Sequence, residues 1–273
     1  ARSGPLLTDA QWEKIRPLLP SRLGTYAAAD RVPPTAAPDR RALEGILWIL
    51  RSGARGQDLP GKYPHPSTCW RRLRDWEEQG IWLNIWRALL SDLNQRQQRK
   101  WSESFLDGSF APAKKGAVES ENQAGKGTQW MVVVDGTGLP LGDHLHSASP
   151  AEVRLAEATL ATIRVGRRHR PGHPRQKPER VIADRAYDSD PFRNRLRRRG
   201  IELICPHKRN RVRPATQGGR KLRRYRRSWS VERTIAWLGN FRRLAVRYDR
   251  SLTIYRAFFH IACCMIILRR VVQ

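Results

Sequence analysis

The sequence has only four cysteines among 273 residues, and none of them stands in a CxxC pair or has a histidine at metal-ligand spacing. This pattern excludes a structural zinc site as the basis of the fold, and it fits a reducing, cytosolic setting. The adjacent Cys263 and Cys264 lie within an apolar run and are expected to pack in the core. No internal repeat or low-complexity segment is visible, so a repeat architecture is not expected.

Long hydrophobic runs are nearly absent as well. The one candidate for a membrane span covers residues 252–268, which is 17 residues, and it contains Arg256 and His260. Because a helix needs about 20 apolar residues to cross a bilayer, the run predicts a buried core helix and no membrane partner. With 40% hydrophobic residues and ten tryptophans, the chain can still bury a sizeable core, which argues against wholesale disorder.

Acidic residues are scarce relative to basic ones. The chain has 25 Asp and Glu against 52 Lys and Arg, a formal net charge of +27, and residues 166–250 alone hold 27 basic and 7 acidic residues. Such a positive field implies a polyanionic partner, for which nucleic acid is the default expectation. Arginine predominates, and its planar guanidinium suits bidentate contacts with phosphate.

Helical signals dominate the first hundred residues. Thr8 followed by Gln11 forms a capping-box pattern that opens one helix, and further helices are predicted to begin near residues 39, 67 and 81. The helix from residue 67 carries Arg71, Arg72 and Arg74, and Gly-containing turns join the helices, as in a helix-turn-helix. An ordinary helical bundle with a basic solvated face fits the same pattern. Residues 1–98 are thus predicted to form a helical DNA-binding, helix-turn-helix-like domain.

From residue 99 the pattern changes to alternating strands and helices. Strands are predicted at 104–110, 181–184 and 201–205, a hairpin at 129–146, and helices at 150–165, 190–199, 229–238 and 252–271. Gly136 and Gly138 mark the hairpin turn. This order of elements indicates an α/β domain with a mixed sheet, which we assign to residues 99–273.

Three acidic residues stand out against this basic background. Asp107 and Asp184 end, or lie within, short apolar runs typical of buried strands, and Glu232 lies at the edge of the apolar stripe of its helix. Each has an ordinary explanation: a turn at Asp107, an ion pair of Asp184 with Arg185, and an ion pair of Glu232 with a nearby arginine. Because a carboxylate at a core margin needs a partner or a role, their combination in a very basic chain predicts a divalent-metal site that acts on a nucleic-acid phosphate.

The residue types indicate the metal and its chemistry. Carboxylates supply the hard oxygen ligands that Mg²⁺ prefers. Nucleases and polynucleotidyl transferases hold two such ions about 3.5–4 Å apart, one activating the attacking water or 3′-hydroxyl and one stabilising the leaving oxygen. In this arrangement Asp107 bridges the two ions while Asp184 and Glu232 each hold one, and Mn²⁺ is expected to substitute. A purely basic, non-enzymatic nucleic-acid binder is the alternative, and its binding would not depend on Mg²⁺.

Several motifs carry a resemblance to a known family. They are Leu7-Thr-Asp-Ala-Gln-Trp12, Gln57-Asp-Leu-Pro60 with the helix at 70–76, Leu106-Asp-Gly-Ser109, Ala183-Asp-Arg-Ala-Tyr-Asp188, Val231-Glu-Arg-Thr234 and Phe241-Arg-Arg-Leu244. On these motifs the chain resembles, nearly end to end, a bacterial insertion-sequence transposase of the DDE type, in the insertion-sequence-five superfamily.

The resemblance implies an RNase H-like catalytic domain with a mixed sheet after the helical DNA-binding region. It also implies an enzyme that binds the terminal inverted repeats of its element, cleaves there with Mg²⁺ and joins the 3′-OH ends to target DNA. The catalytic residues would be Asp107, Asp184 and Glu232. The expected partners are double-stranded DNA and a second copy of the chain, as a homodimer in the synaptic complex, in the cytoplasm at the nucleoid. A domesticated relative, acting as an endonuclease or a non-catalytic DNA-binding protein, is the alternative.

One departure from the family pattern concerns phosphate positioning. The related signature places an arginine three residues after Tyr225, Glu232 four residues later, and a basic residue seven beyond that. Here Ser228 and Gly239 occupy the two basic positions. The candidates to take over these roles from a neighbouring turn are Arg227, Arg242 and Arg243.

The predicted DNA contacts are of two kinds. Arg71, Arg72 and Arg74 are expected to reach guanine edges, whereas cations in the loops bind backbone phosphates without reading the sequence. Tyr225 or Trp229 is expected either to stack on a flipped base or to be a core aromatic. The remaining predicted contacts are Lys114, Lys115, Arg185, Lys208, Arg209, Arg211, Arg213, Arg220, Lys221, Arg223, Arg224, Arg227, Arg233, Arg242 and Arg243.

Overall fold

The chain begins with a group of helices. The computed structural model describes residues 5–20, 38–96, 102–114, 121–122, 125–147, 152–166, 174 and 177–272. Its first elements are α1 (Asp9–Ile15), α2 (Asp39–Ser52), α3 (Pro66–Glu78) and α4 (Ile81–Gln95), with 3₁₀ turns at Arg16–Leu18 and Gly56–Asp58. The helical prediction for this part of the chain is confirmed.

Local signals set the ends of these helices. The Thr8 hydroxyl accepts the N–H of Gln11 at 3.2 Å, and the Gln11 side chain accepts the N–H of Thr8 at 3.1 Å, so the predicted capping box is present. Gly53 follows α2 with a φ of 70°, a left-handed conformation that glycine adopts without strain. The start predicted at residue 67 is slightly late, because His65 caps α3 and Pro66, whose fixed φ suits a first helical position, begins it.

A mixed sheet follows the helices. Its strands are β1 (Glu103–Pro112), β2 (Glu121–Asn122), β3 (Gly125–Asp135), β4 (Pro140–Ser147), β5 (Arg180–Ile182) and β6 (Glu202–Ile204). β1 is central: it pairs antiparallel with β3 on one side and parallel with β5 on the other, and β5 pairs parallel with β6. β2 and β4 both pair antiparallel with β3. The α/β class with a mixed sheet is therefore confirmed.

The predicted hairpin joins β3 to β4, and one buried aspartate fixes its turn. A single carboxylate oxygen of Asp135 accepts the N–H of Thr137 at 2.8 Å, the hydroxyl of Thr137 at 2.7 Å and the N–H of Leu139 at 3.0 Å. Gly138 has a φ of 87°, which again favours glycine. The turn is thus held in one shape, and a later helix docks on it.

Helices cover and complete the sheet. They are α5 (Glu152–Ala161), α6 (Asp190–Arg198), α7 (Gly219–Leu222), α8 (Trp229–Gly239), α9 (Arg242–Ala245) and α10 (Leu252–Val271), with 3₁₀ turns at Arg185–Tyr187 and Arg223–Arg227. By length and composition α10 is the one helix among the described ranges that could cross a membrane, yet 78% of its most apolar window is buried inside the protein. The prediction of a core helix is confirmed.

α10 packs between the N-terminal helices and the sheet. It contacts α3, α4 and β4, and the Trp86 indole of α4 donates to the carbonyl of Pro140 in β4 at 3.0 Å. Buried side chains from both predicted domains form one continuous cluster. The boundary between residues 98 and 99 stays a prediction, but the two parts share a core.

Candidate active site

Strand register brings Asp107 and Asp184 together. Phe105 of β1 lies opposite Ile182 of β5 in the parallel pair, and continuing this register by two residues places Asp107 beside Asp184. Parallel neighbours lie about 4.8 Å apart, and side chains two residues apart point to the same face. Both aspartates are half-buried. Two carboxylates therefore share one face where β5 ends.

Backbone hydrogen bonds orient each aspartate. An oxygen of Asp107 accepts the N–H of Gly108 at 2.8 Å, and an oxygen of Asp184 accepts the N–H of Ala186 at 2.8 Å as the cap of the following 3₁₀ turn. The ordinary explanations fail here. Asp107 lies within β1 and not in a turn, and Asp184 forms no ion pair with Arg185.

Glu232 approaches from α8, which packs on β1 and β3. The Thr234 hydroxyl donates to the carbonyl of Gly138 at 2.6 Å, and Arg233 donates to the carbonyl of Thr137 at 2.7 Å, so the helix is anchored on the hairpin turn. The Glu232 carboxylate is exposed and accepts the Ser228 hydroxyl at 3.3 Å. No arginine among the described residues pairs with Glu232.

The Tyr225 hydroxyl lies within electrostatic range of all three carboxylates. Burial raises the pKa of its hydroxyl, and the negative charges of Asp184, Glu232 and Asp107 raise it further, while Arg185 opposes them. One half-buried phenol thus lies within electrostatic range of carboxylates from β1, from the end of β5 and from α8. Each of the three carboxylates thus lies near Tyr225, and their role as one site stays a prediction.

The donor set fits hard divalent cations, because all three side chains offer carboxylate oxygens. Asp107 lies within β1, and Asp184 follows the adjacent β5. Among the described residues, no group of three or more His, Cys, Asp or Glu side chains is already close enough to hold one ion. The assignment of Asp107, Asp184 and Glu232 as metal ligands therefore stays a prediction, since the described part of the chain shows no such cluster.

The structure divides the predicted DNA contacts by their ion pairs. Cations that already bind a carboxylate are Arg72 with Asp39, Arg74 with Asp75, Arg211 and Arg213 with Asp190, Lys221 with Glu202, Arg224 and Arg227 with Glu103, and Arg243 with Asp249. Exposed cations that pair with no described carboxylate are Arg71, Lys114, Arg185, Lys208, Arg209, Arg220, Arg223 and Arg242. Lys115 lies outside the described residues.

The aromatic candidates also differ. Trp229 is 51% exposed, so its outer face is open and it is not a core aromatic, whereas Tyr225 is half-buried. The Arg233 guanidinium lies 4.6 Å from the Trp229 ring centroid and 4.8 Å from that of Trp237. Arg233 is therefore engaged within its own helix and with the hairpin.

Sequence reasoning missed two acidic residues that organise this region. Glu103 is only 3% exposed and accepts hydrogen bonds from Arg224 and Arg227, the latter at 2.6 Å. The sequence carried a signal for this role, because Glu103 stands two residues before Phe105 and four before Asp107 and so lies on the same face of β1.

The second missed residue is Asp188, which lies directly before Ser189, the cap of α6. Burial opposes the charge of Asp188, but the N–H of Lys208 and the side chains of Arg193 and His207 outweigh it and lower its pKa to about 2. Asp188 thus ties the loop after β6 to the start of α6.

Comparisons with known proteins identify the family of this chain. The family model "Transposase DDE domain" matches residues 101–267, and the model "Putative transposase of IS4/5 family" matches residues 7–86. A solved piggyBac transposase synaptic complex with hairpin DNA aligns with 98% of this chain and 75% of its own at a TM-score of 0.51 and 10% identity, so it supports the RNase H-like fold alone.

Two relatives are similar in sequence. The "Putative transposase for insertion sequence element IS402" of Burkholderia cepacia is 40% identical over 145 residues, 53% of this chain and 64% of that protein's length. The "Putative transposase for insertion sequence element IS6501" of Brucella ovis is 30% identical over 142 residues, 52% of this chain and 98% of that protein. With the catalytic-domain model matching more than half of its residues, the chain belongs to the DDE transposase family of insertion sequences.

Proposed function

We propose that this transposase binds the terminal inverted repeats of its element, cleaves there by two-metal-ion hydrolysis and joins the 3′-OH ends to target DNA. The observation that supports it is that Asp107, on β1, Asp184, just after the adjacent β5, and Glu232 all lie within electrostatic range of Tyr225. Transposases with a DDE domain generally use divalent metal ions. Two Mg²⁺ ions held by these carboxylates would supply an activated water or 3′-hydroxyl and stabilise the leaving oxygen.

The protein's own groups position the reaction. Asp107 is held by the pairing of β1 with β3, and the carboxylates of Asp107 and Asp184 each accept a backbone N–H. Glu232 is held through the anchors of α8 on the hairpin. The Tyr225 hydroxyl is protonated near neutral pH, as for tyrosine in general, and can donate a hydrogen bond to a phosphate oxygen. Arg185, which pairs with no carboxylate of the described residues, contributes a positive charge near Tyr225.

The partners follow from the reaction. Double-stranded DNA, as element ends and as target, is the substrate, and the exposed cations match its charge. Bringing two element ends together requires two protomers, so we propose a homodimer in the synaptic complex. Its work on chromosomal DNA would place it at the nucleoid in the cytoplasm.

The test is a cleavage and strand-transfer assay on labelled duplexes carrying the element's own two ends. With Mg²⁺ or Mn²⁺ the wild type should nick at the ends and join them to a target plasmid. Asp184→Asn should abolish both products while it still binds the duplex. Asp190→Asn is the matched control, because Asp190 pairs with Arg211 and Arg213 outside the site, and it should retain both products. Binding without cleavage by the wild type under every metal would refute the catalytic assignment.

A second candidate is a relative that cleaves DNA without joining it. It is favoured by Ser228 and Gly239, which stand where the family signature has basic residues, and by the engagement of Arg227 with Glu103. The same assay separates the two, because an endonuclease would give metal-dependent nicks and no joined product.

A further inference from the structure

The segment that leads into α8 presents three distinct faces. It consists of α7 (Gly219–Leu222) and the 3₁₀ turn Arg223–Arg227. In a 3₁₀ helix three residues complete one turn, so side chains at positions i and i+3 lie directly above one another. The contacts of this segment follow that period, and each face has a separate environment.

One face is bound to the sheet. Its cations are Lys221, Arg224 and Arg227, which we call the anchoring row. Lys221 binds Glu202 of β6 at 2.5 Å, and the two arginines bind Glu103 of β1. The two glutamates belong to one row across the sheet, since Arg180 of β5 lies opposite both. The anchoring row therefore fastens the segment across three parallel strands.

Each cation of the anchoring row already binds a carboxylate, with three positive charges facing two glutamates. Glu103 is 3% exposed, and a buried carboxylate without a cation is costly, so its two arginines are needed where they are. Glu202 is also held in its charged form, as Lys221 first and Arg180 second lower its pKa. A DNA phosphate would have to compete with these carboxylates for the same guanidinium and ammonium groups.

A second face carries Leu222 and Tyr225, and both are half-buried. Tyr225 lies within range of Asp107, Asp184 and Glu232. The orientation of the segment is thereby fixed, with one face on the sheet and another that carries Tyr225.

The third face is open to solvent and carries Arg220, Arg223 and Arg226, which we call the exposed row. All three side chains are exposed, and none pairs with a carboxylate of the described residues. Three residues rise about 4.5 Å in an α-helix and about 6 Å in a 3₁₀ helix. The exposed row is thus a line of three uncompensated guanidinium groups, spaced on the scale of successive phosphates in a nucleic-acid strand.

We propose that the exposed row binds successive phosphates of one strand of the DNA that enters the carboxylate site, and that the anchoring row holds it in place without contacting DNA. This assignment rests on the proposed function. It adds Arg226, which the sequence pattern had not singled out, and it removes Lys221, Arg224 and Arg227 from the DNA contacts. Bidentate hydrogen bonds from guanidinium to phosphate strengthen the contact. Because the arginines and the phosphates have similar spacing, the row also sets the direction of the bound strand.

The test compares two matched variants that lose the same three charges. One has glutamine at all positions of the exposed row, and the other has glutamine at all positions of the anchoring row. Binding to a fluorescein-labelled 30-base-pair duplex of arbitrary sequence is measured in EDTA over a series of salt concentrations. Each phosphate contact contributes about −0.9 to the slope of log K against log salt on duplex DNA. The exposed-row variant should therefore have a slope shallower by about 2.7, and the anchoring-row variant should keep the wild-type slope.

Two results would overturn the proposal: an unchanged slope in the exposed-row variant, or equal losses in both variants. If circular dichroism shows that the anchoring-row variant is unfolded, the single changes Arg223→Gln and Arg224→Gln replace it, with expected slope losses of about 0.9 and about 0. Because the assay contains no metal and no element end, it is independent of cleavage. A wild type that never cleaves, but shows these slopes, would refute the proposed function and leave the exposed row in place.

Discussion

The buried histidine of α10 gives a pH dependence that can be worked out from its contacts. His260 Nδ1 lies 3.0 Å from an oxygen of Glu77 in α3, and Nε2 lies 3.5 Å from an oxygen of Asp143 in β4. Arg256 binds the other oxygen of Glu77 at 2.7 Å. Burial opposes the charge of the imidazole, but the two carboxylates outweigh it and raise the pKa of His260 to about 9.

The direction of the effect follows from linkage. The ordinary pKa of His260 is 6.5, and the folded value is higher, so the folded state binds the proton more tightly. The contribution of protonated His260 to the stability of the folded state is complete below about pH 6.5 and is lost as the pH rises through about 9. A difference of about 2.5 pKa units corresponds to about 3 kcal/mol in the free energy of unfolding.

The perturbation is His260→Gln, and the assay is urea unfolding followed by tryptophan fluorescence between pH 6 and pH 9.5. Burial raises the pKa values of the buried cysteines, which therefore also reduce stability at high pH. The quantity to compare is thus the difference in unfolding free energy between wild type and variant at each pH. That difference should shrink by about 3 kcal/mol over the range. Asp143→Asn should move the loss to lower pH, because it removes one carboxylate that raises the pKa. A difference that is equal at pH 6 and pH 9.5 would refute the reasoning.

Three further predictions concern stability. Arg247 is 1% exposed and donates hydrogen bonds to the Thr128 hydroxyl at 2.7 Å and to two backbone carbonyls. Arg247→Lys keeps the charge but loses most of these hydrogen bonds, so it should lower the free energy of unfolding in urea by about 2–3 kcal/mol. A Cβ at Gly127 would lie 2.4 Å from the carbonyl oxygen of Ala111, so Gly127→Ala should cost about 1–3 kcal/mol of unfolding free energy and lower the melting temperature. A Cβ at Gly218 would have no described atom within 4 Å, so Gly218→Ala should leave the melting temperature unchanged. The pKa of Asp188 is about 2 against an ordinary 3.8, so Asp188→Asn should lose about 2 kcal/mol above pH 4, and its deficit should vanish as the pH falls through 2. A deficit that persists at the lowest pH would contradict the ion-pair explanation for Asp188.

The sequence by itself determined the features whose signals lie within a few residues. The capping box at Thr8 and the turn at Gly138 are encoded locally, and both appear as expected. The apolar runs around Asp107 and Asp184 and the stripe beside Glu232 predicted two strands and a helix with carboxylates on their margins. These local signals, together with the basic charge, were enough to indicate the class of fold and the candidate site.

Only the tertiary structure decided which cations form ion pairs with carboxylates and which are exposed without such a pair among the described residues. Arg224 and Arg227 look no different in sequence from Arg223 and Arg226, but their partner Glu103 lies more than 120 residues earlier in the chain. Such a pair depends on the register of β1, β5 and β6 and on the path of the segment across them. The joining of α10 to the N-terminal helices is likewise a matter of packing between distant segments. Local propensity acts over a few residues, whereas ion pairs and core contacts are fixed only when the whole chain has folded.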